Sequence, residues 1–176
     1  MMEIYIRKEE FPDFQTVYEV NKSAFNQEDE ADLVTLLRKS DAFVPELSLV
    51  AVVENKIAGH ILFTKISIKS DTGVLYESLA LAPMAVLPKY QRQGIGSQLV
   101  EQSLEICKSL GYQSVIVLGH EHFYPKFGFV PAEKWNIRAP FPVPPNVFMA
   151  NELADNGLKD VSGTVIYPPE FDTLSL

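Results

Sequence analysis

Residues 79–110 read LALAPMAVL PKYQRQGIG SQLVEQSLEICKSL, an apolar run, a glycine-bearing loop and a long amphipathic segment. Leu79 to Leu87 is continuously apolar and is ended by Pro88, the pattern of a strand buried on both faces. Pro83 interrupts it. A proline has no ladder donor, so it predicts a bulge or a point where pairing is given up, leaving a gap that a ligand can enter. Beyond the loop, Ile95, Leu99, Val100, Leu104, Ile106, Cys107 and Leu110 recur at helical spacing as far as Gly111, a C-terminal glycine. The helix is therefore predicted to begin near Gly94. Its first N–H groups have no intrahelical partner and carry the positive end of the macrodipole. The amides from Arg92 to Ser97 are placed to wrap a pyrophosphate, Gly94 and Gly96 allow close approach, and Arg92 and Lys89 are side-chain charges nearby.

Two familiar phosphate loops are excluded. A Walker loop needs glycine, four residues, then Gly-Lys-Ser/Thr, and no such string occurs. The dinucleotide fingerprint needs a glycine or alanine where Leu99 stands. What remains is Gln91-x-x-Gly94-x-Gly96 after an apolar strand, which resembles the acetyl-coenzyme A loop of the GNAT N-acetyltransferase superfamily. A second stretch agrees with it. Val115-Ile116-Val117-Leu118-Gly119 reads as another buried strand, and His120-Glu121-His122-Phe123-Tyr124-Pro125-Lys126-Phe127-Gly128-Phe129 follows. It is similar to the other GNAT signature: strand, short helix with a tyrosine, then a Phe-Gly-Phe turn into the next strand.

The rest of the chain suits that order. Glu3 to Arg7 is a short strand candidate, and Pro12 and Asp13 open a helix with Phe14, Val17, Tyr18, Ala24 and Phe25 as its apolar residues. A second helix has Glu28, Asp29, Glu30 and Asp32 at its start and Arg38 and Lys39 at its end, opposing the dipole favourably. The acidic cluster reads first as dipole compensation; the other reading is the mouth of an amine site. Glu30 keeps that second reading open, because the resemblance implies that a helix pair here borders the acceptor. Leu47–Val53 and Ile57–Ile68 flank Glu54-Asn55-Lys56, a hairpin signal, and Asp71-Thr72-Gly73 turns into a strand from Val74. Hairpins entering one strand, then a helical crossover to a parallel neighbour, give an α/β fold with a mixed, mostly antiparallel central sheet and helices on both faces, the order of the GNAT fold. Seven of the twelve prolines lie beyond Phe129. Residues 1–176 are thus read as one domain with a proline-rich extension from about 131, whose strands Phe148–Leu153 and Thr164–Tyr167 return to the sheet.

Composition narrows the function. At 176 residues, 47% hydrophobic and 22% charged, the chain can build a proper core. A formal charge of −8 disfavours nucleic-acid and anionic-membrane partners and suits a cationic substrate. Cys107 is the sole cysteine, so no intramolecular disulfide forms. With no signal-peptide pattern before Ile4 and no apolar run long enough to span a bilayer, a cytoplasmic protein is expected, as monomer or homodimer.

Acetyl transfer to an amine requires the amine to lose a proton, the coenzyme A thiolate to gain one, and the oxyanion between them to meet a donor. An unpaired backbone N–H near Met84, Ala85 or Val86, freed by the gap at Pro83, suits the oxyanion. The resemblance implies acetyl-CoA as co-substrate, with Val86, Leu87 and Pro88 beside the pantetheine arm. It places Gln91, Arg92, Gln93, Gly94, Ile95, Gly96 and Ser97 around the pyrophosphate. It also implies that Tyr124 hydrogen-bonds the sulfur and protonates the leaving thiolate; packed between Phe123 and Phe127, the same residue reads simply as a core aromatic. His120, His122, Glu77 and Glu30 are the candidate bases, with a role in the hydrogen bonding of the surface as the plain reading of each histidine. Relatives often carry an aspartate or similar small polar residue where His120 stands, so acceptor recognition departs from theirs. No metal is expected. The leading expectation is an N-acetyltransferase acting on a small-molecule or peptide amine by direct attack. The alternatives are a GNAT-like module that senses acyl-CoA without turnover and a nucleotide-binding module.

Overall fold

A two-residue hairpin of right-handed twist needs positive φ at both central positions. Glu54 and Asn55 supply it, at 51° and 63°. In the computed structural model, which describes residues 2–174, they join two long strands. With β1 (Tyr5–Lys8), these strands β2 (Phe43–Val53) and β3 (Lys56–Lys69) make an antiparallel ladder in which Arg7 faces Val50 and Val50 faces His60. Strand β2 begins four residues before the Leu47 expected from sequence. Pro45 hides that start, and the register shifts between Phe43 and Ser48, where the proline has no donor to give.

The chain divides into two compact units. One holds the residues up to Thr64, then Ala82–Ile106 and the residues from Pro169 on. Here a 3-10 turn, Phe11–Asp13, leads into α1 (Phe14–Phe25), which ends on left-handed Asn26, and α2 (Asp29–Leu37) follows. Their apolar faces meet the hairpin. Val17, Leu33, Val34 and Leu37 pack with Val50 and Leu62, all essentially inaccessible. Each such side chain contributes roughly 1.5–3 kcal/mol on burial.

The same unit contains the far end of β4 (Leu75–Val86) and most of α3 (Ile95–Ser109). Leu87 N–H reaches Ala58 C=O at 2.8 Å, tying the exit of β4 to the start of β3. Gly59 sets the height of the helix above the strands. A Cβ there would stand 3.1 Å from Ala85 O and Leu99 Cδ1 and 3.2 Å from Ile95 Cγ2, so any larger residue would push α3 or its side chains away by a few tenths of an ångström. That glycine was not singled out in the sequence, where it reads as one more residue of an apolar strand.

The second unit holds Lys65–Leu81 and Cys107–Pro168. Helix α3 closes there: Gly111 at φ 88° donates to Lys108 C=O and Tyr112 N–H to Cys107 C=O, at 3.0 and 3.2 Å. Strand β5 (Ser114–Leu118) then runs parallel to β4, with Leu79 opposite Val115 and Ala80 opposite Ile116. The proline-rich stretch supplies β6 (Val130–Pro131), β7 (Ile137–Arg138), β8 (Phe148–Glu152) and β9 (Gly163–Ile166). As expected, this tail returns to the sheet: β8 pairs antiparallel with β5, and β9 with the end of β3. Ile66, Ile68, Ala80, Ile116, Phe148, Ala150 and Val165 are its buried core. Strands β6 and β7, two residues each, are too short for any periodicity to announce.

The hydrogen-bonded path runs β1-β2-β3-β4-β5-β8-β6, with β9 on β3 and β7 on β9. Only β4/β5 and β7/β9 are parallel among the registers of the described residues. The sheet is therefore mixed and mostly antiparallel, as the sequence predicts.

Candidate functional site

The loop between β4 and α3 is built to leave its amides free. Pro88–Tyr90 forms a 3-10 turn in which Tyr90 N–H donates to Leu87 C=O at 2.8 Å. Two glutamines then brace the loop from within. Gln91 Nε2 donates to Val86 C=O and Gln93 Nε2 to Lys89 C=O, each at 3.0 Å. The Gln91 side chain thus gives one of its donors to the backbone it follows. Arg92 and Gly94 are left-handed, at φ 63° and 88°. Gly94, left-handed directly before the right-handed start of α3 at Ile95, turns successive N–H groups to one side, the geometry of an anion nest. The first backbone bond of the helix side is Gln98 N–H to Gly94 C=O at 3.1 Å, and the amides of 92–97 find no protein acceptor among the described residues. Ile95 is buried and anchors the loop to the core, while Gly96 and Ser97 are half-buried.

Upstream, the Ala82–Pro83 peptide is cis, and Met84 and Val86 are half-buried on either side of buried Ala85. The register of β4 with β5 runs over Leu79 and Ala80. Pro83 lies beyond the stretch of β4 paired with β5 but within β4 itself, which also pairs with β3.

In the second unit, Tyr124 opens the 3-10 turn Tyr124–Phe127 and is 6% exposed. Its ring meets Phe123 edge-on at 5.0 Å and Phe129 at 5.6 Å. It also lies across Gly119, where a Cβ would collide with the ring, so Gly119 is the residue that makes room for the phenol. Burial pushes the Tyr124 hydroxyl up to about 12. His120 shares this turn. Its C=O accepts from Phe123 N–H at 3.1 Å and Tyr124 N–H at 3.4 Å, and its side chain is exposed. His122 is exposed beside Glu121, with 3.3 Å between Nε2 and Oε1. Glu77 is exposed on β4.

Glu30 belongs to the first unit, in the first turn of α2, where both its oxygens accept from Gln27 Nε2 at 2.8 and 3.1 Å. Its neighbours are also engaged: Tyr18 donates to Asp32 at 2.8 Å and Lys22 lies 3.3 Å from Glu28. These local partners suit dipole compensation, the first of the two readings of the cluster. No group of three or more His, Cys, Asp or Glu that could hold a metal occurs among the described residues.

A buried polar array under α1 escaped the sequence reading, although a histidine inside the run Ile57–Ile68 was its signal. His60 and Ser48 are wholly inaccessible and Glu9 nearly so. Asn21 Nδ2 donates to Val17 C=O at 3.0 Å and lies 3.2 Å from His60 Nδ1. With Asn21 held that way round, Nδ1 accepts and Nε2 carries the proton, donating to Ser48 Oγ at 3.0 Å. Ser48 in turn hydrogen-bonds the Glu9 carboxylate, which Arg38 grips from Nε and Nη2 at 2.9 Å each. Glu9 also comes within 4.0 Å of His60 Nε2. This is not an ion pair, because burial holds His60 down at about 4, with Arg38 opposing protonation and Glu9 only partly offsetting it.

Comparison with known proteins decides the family. Residues 11–129 match the acetyltransferase (GNAT) family. The chain belongs to that family. The GNAT match covers both signatures, the loop before α3 and the turn that carries Tyr124. Among similar proteins, the chain is 41% identical over 135 residues to the N-acetyltransferase YjhQ of Escherichia coli K12, covering 75% of this chain and 73% of YjhQ. It is 33% identical over 152 residues to the N-acetyltransferase YhbS of the same strain, covering 86% and 88%. The crystal structure of Escherichia coli YhbS in complex with CoA superimposes with a TM-score of 0.91 at 30% identity, over 100% of this chain and 96% of that one. A GNAT acetyltransferase from Brucella melitensis in complex with acetyl-CoA gives 0.78 at 27%, over 97% and 99%. The GNAT fold expected from the two signatures is therefore the fold of the chain.

Proposed function

We propose that this GNAT protein is an acetyl-CoA-dependent N-acetyltransferase that moves the acetyl group to a primary amine by direct attack within a ternary complex. The run of unpartnered amides from Arg92 to Ser97 carries the reading: six donors on a nest at a helix start suit a pyrophosphate. Relatives solved with CoA and acetyl-CoA support the choice of coenzyme.

In this reading Val86, Leu87 and Pro88 run beside the pantetheine arm and an amide of Met84 to Val86 meets the oxyanion. The amine nitrogen forms a bond to the thioester carbon, the carbon–sulfur bond breaks, and sulfur leaves as thiolate. Tyr124 serves the sulfur as a hydrogen-bond donor. Burial keeps this hydroxyl protonated, so it is available to protonate the leaving thiolate. His120 receives the proton shed by the amine, through water, because imidazole changes charge near neutral pH. Glu30 borders the acceptor amine.

Calorimetric titration with acetyl-CoA, followed by thiol release against a panel of amines and peptides, tests the proposal. Binding with acceptor-dependent thiol release is the expected result. Binding without release across the panel favours an acyl-CoA sensor, and no binding removes the pyrophosphate assignment.

A further inference from the structure

A cavity of about 440 Å3 opens beside the β2–β3 turn and the Pro88–Tyr90 turn, within the unit that carries α1 and α2. Its charge runs against that of the chain. Arg7, Lys56 and Lys89 line it with a single carboxylate, Asp13, a local excess of two positive charges in a protein of net charge −8. The three cations differ in what they have left to offer. Arg7 donates from Nη1 to Asp13 Oδ2 at 2.7 Å and from Nη2 to Oδ1 at 3.0 Å. That fork-to-fork pair occupies the planar edge by which a guanidinium recognises a carboxylate. Lys56 and Lys89 have no carboxylate within ion-pair distance among the described residues. The Lys89 ammonium lies 5.0 Å from the centre of the Tyr90 ring, which steadies it at the cavity wall. Asn55, Thr16 and Tyr90 add neutral donors to the lining.

We propose that this cavity binds a small phosphate-bearing anion between Lys56 and Lys89. Two ammonium point charges with hydroxyl and amide donors suit tetrahedral phosphate oxygens, whereas a planar carboxylate would compete with Asp13 for Arg7. The volume admits a small molecule, and the negative charge of the whole chain repels extended polyanions. The site uses none of the amides of 92–97 and does not depend on the acetyl-CoA reading, but it takes Lys89, a charge read above as near the pyrophosphate, and Leu87, placed above beside the pantetheine arm.

Inorganic phosphate, titrated into the full chain at low ionic strength and followed by backbone amide NMR shifts, tests this. Saturable one-site shifts are expected at Thr16, Lys56, Ile57, Lys89 and Tyr90, persisting when CoA is added. Lys56→Gln should weaken the binding about tenfold, the loss of one charge-assisted contact. The absence of saturable shifts, their confinement to 92–97, their loss on adding CoA, or an unchanged affinity in Lys56→Gln each overturns the site. CoA binding is read separately from the amides of 92–97, so failure of the coenzyme reading and failure of the phosphate site give different spectra.

Discussion

At Tyr124 the packing that positions the phenol also fixes its chemistry. Held against Gly119 and two aromatic rings, the hydroxyl stays neutral far above physiological pH. Tyr124→Phe keeps the ring and removes the donor, so it should slow acetyl transfer by roughly a hundredfold with acetyl-CoA affinity nearly unchanged. Transfer at the wild-type rate would show that sulfur needs no help from this residue. His60 makes the opposite case, a titratable group kept from titrating. It is neutral when folded down to about pH 4, whereas the unfolded chain protonates it near its ordinary value of 6.5. The unfolded state therefore binds the proton first, and stability falls as pH drops from about 6.5 to 4, by roughly 3 kcal/mol in total. Glu9 is destabilised as an anion by burial but held below its ordinary value by Arg38, so its contribution is present above pH 4.5 and fades at still lower pH. Urea unfolding at a series of pH values should show the first slope in the wild type and lose it in His60→Gln. A slope that survives the substitution would assign the proton uptake to another group.

The element that matters most is the start of α3. Two choices in sequence position it: Gly59, which lets the helix approach β3 and β4, and the glutamines that bond back onto the loop. Gly96 lies among the free amides. A β-branched side chain there stands between backbone and ligand, so Gly96→Val should weaken acetyl-CoA binding at least about tenfold while the fold persists. Calorimetry paired with circular dichroism checks both halves, and normal affinity in a folded variant would take the pyrophosphate away from this loop. Much of this element was legible beforehand, because 3.6-residue periodicity and paired glycines are local signals. The glutamine braces were not, since their acceptors depend on how the loop folds.

For the whole molecule, charge is the property that reaches furthest. A chain at −8 attracts cationic acceptors over about a Debye length, ~10 Å at 0.1 M salt. For a positively charged amine, kcat/KM should fall as salt is raised, and for a neutral amine of similar size it should not. Equal salt dependence for both would remove steering from the account. The pocket with Lys56 and Lys89 shows why net charge alone misleads: residues at 7, 13, 56 and 89 were spread along the sequence among ordinary surface charges.

What the sequence determined by itself was whatever is encoded locally. The strand, glycine loop and helix of 79–110, the hairpin at Glu54 and Asn55, and the Phe-Gly-Phe turn each rest on neighbouring residues, and they sufficed for the family and for a mixed, mostly antiparallel sheet. Only the tertiary structure decided which distant residues meet. It joined Glu9, Asn21, Arg38, Ser48 and His60 into one array, set Gly119 under Tyr124, engaged Glu30 with Gln27, and left Lys56 and Lys89 facing one cavity without carboxylate partners. The physical reason is range. Backbone propensity and periodicity act over a few residues, whereas burial, hydrogen-bond satisfaction and electrostatic pairing depend on the partners that folding brings together.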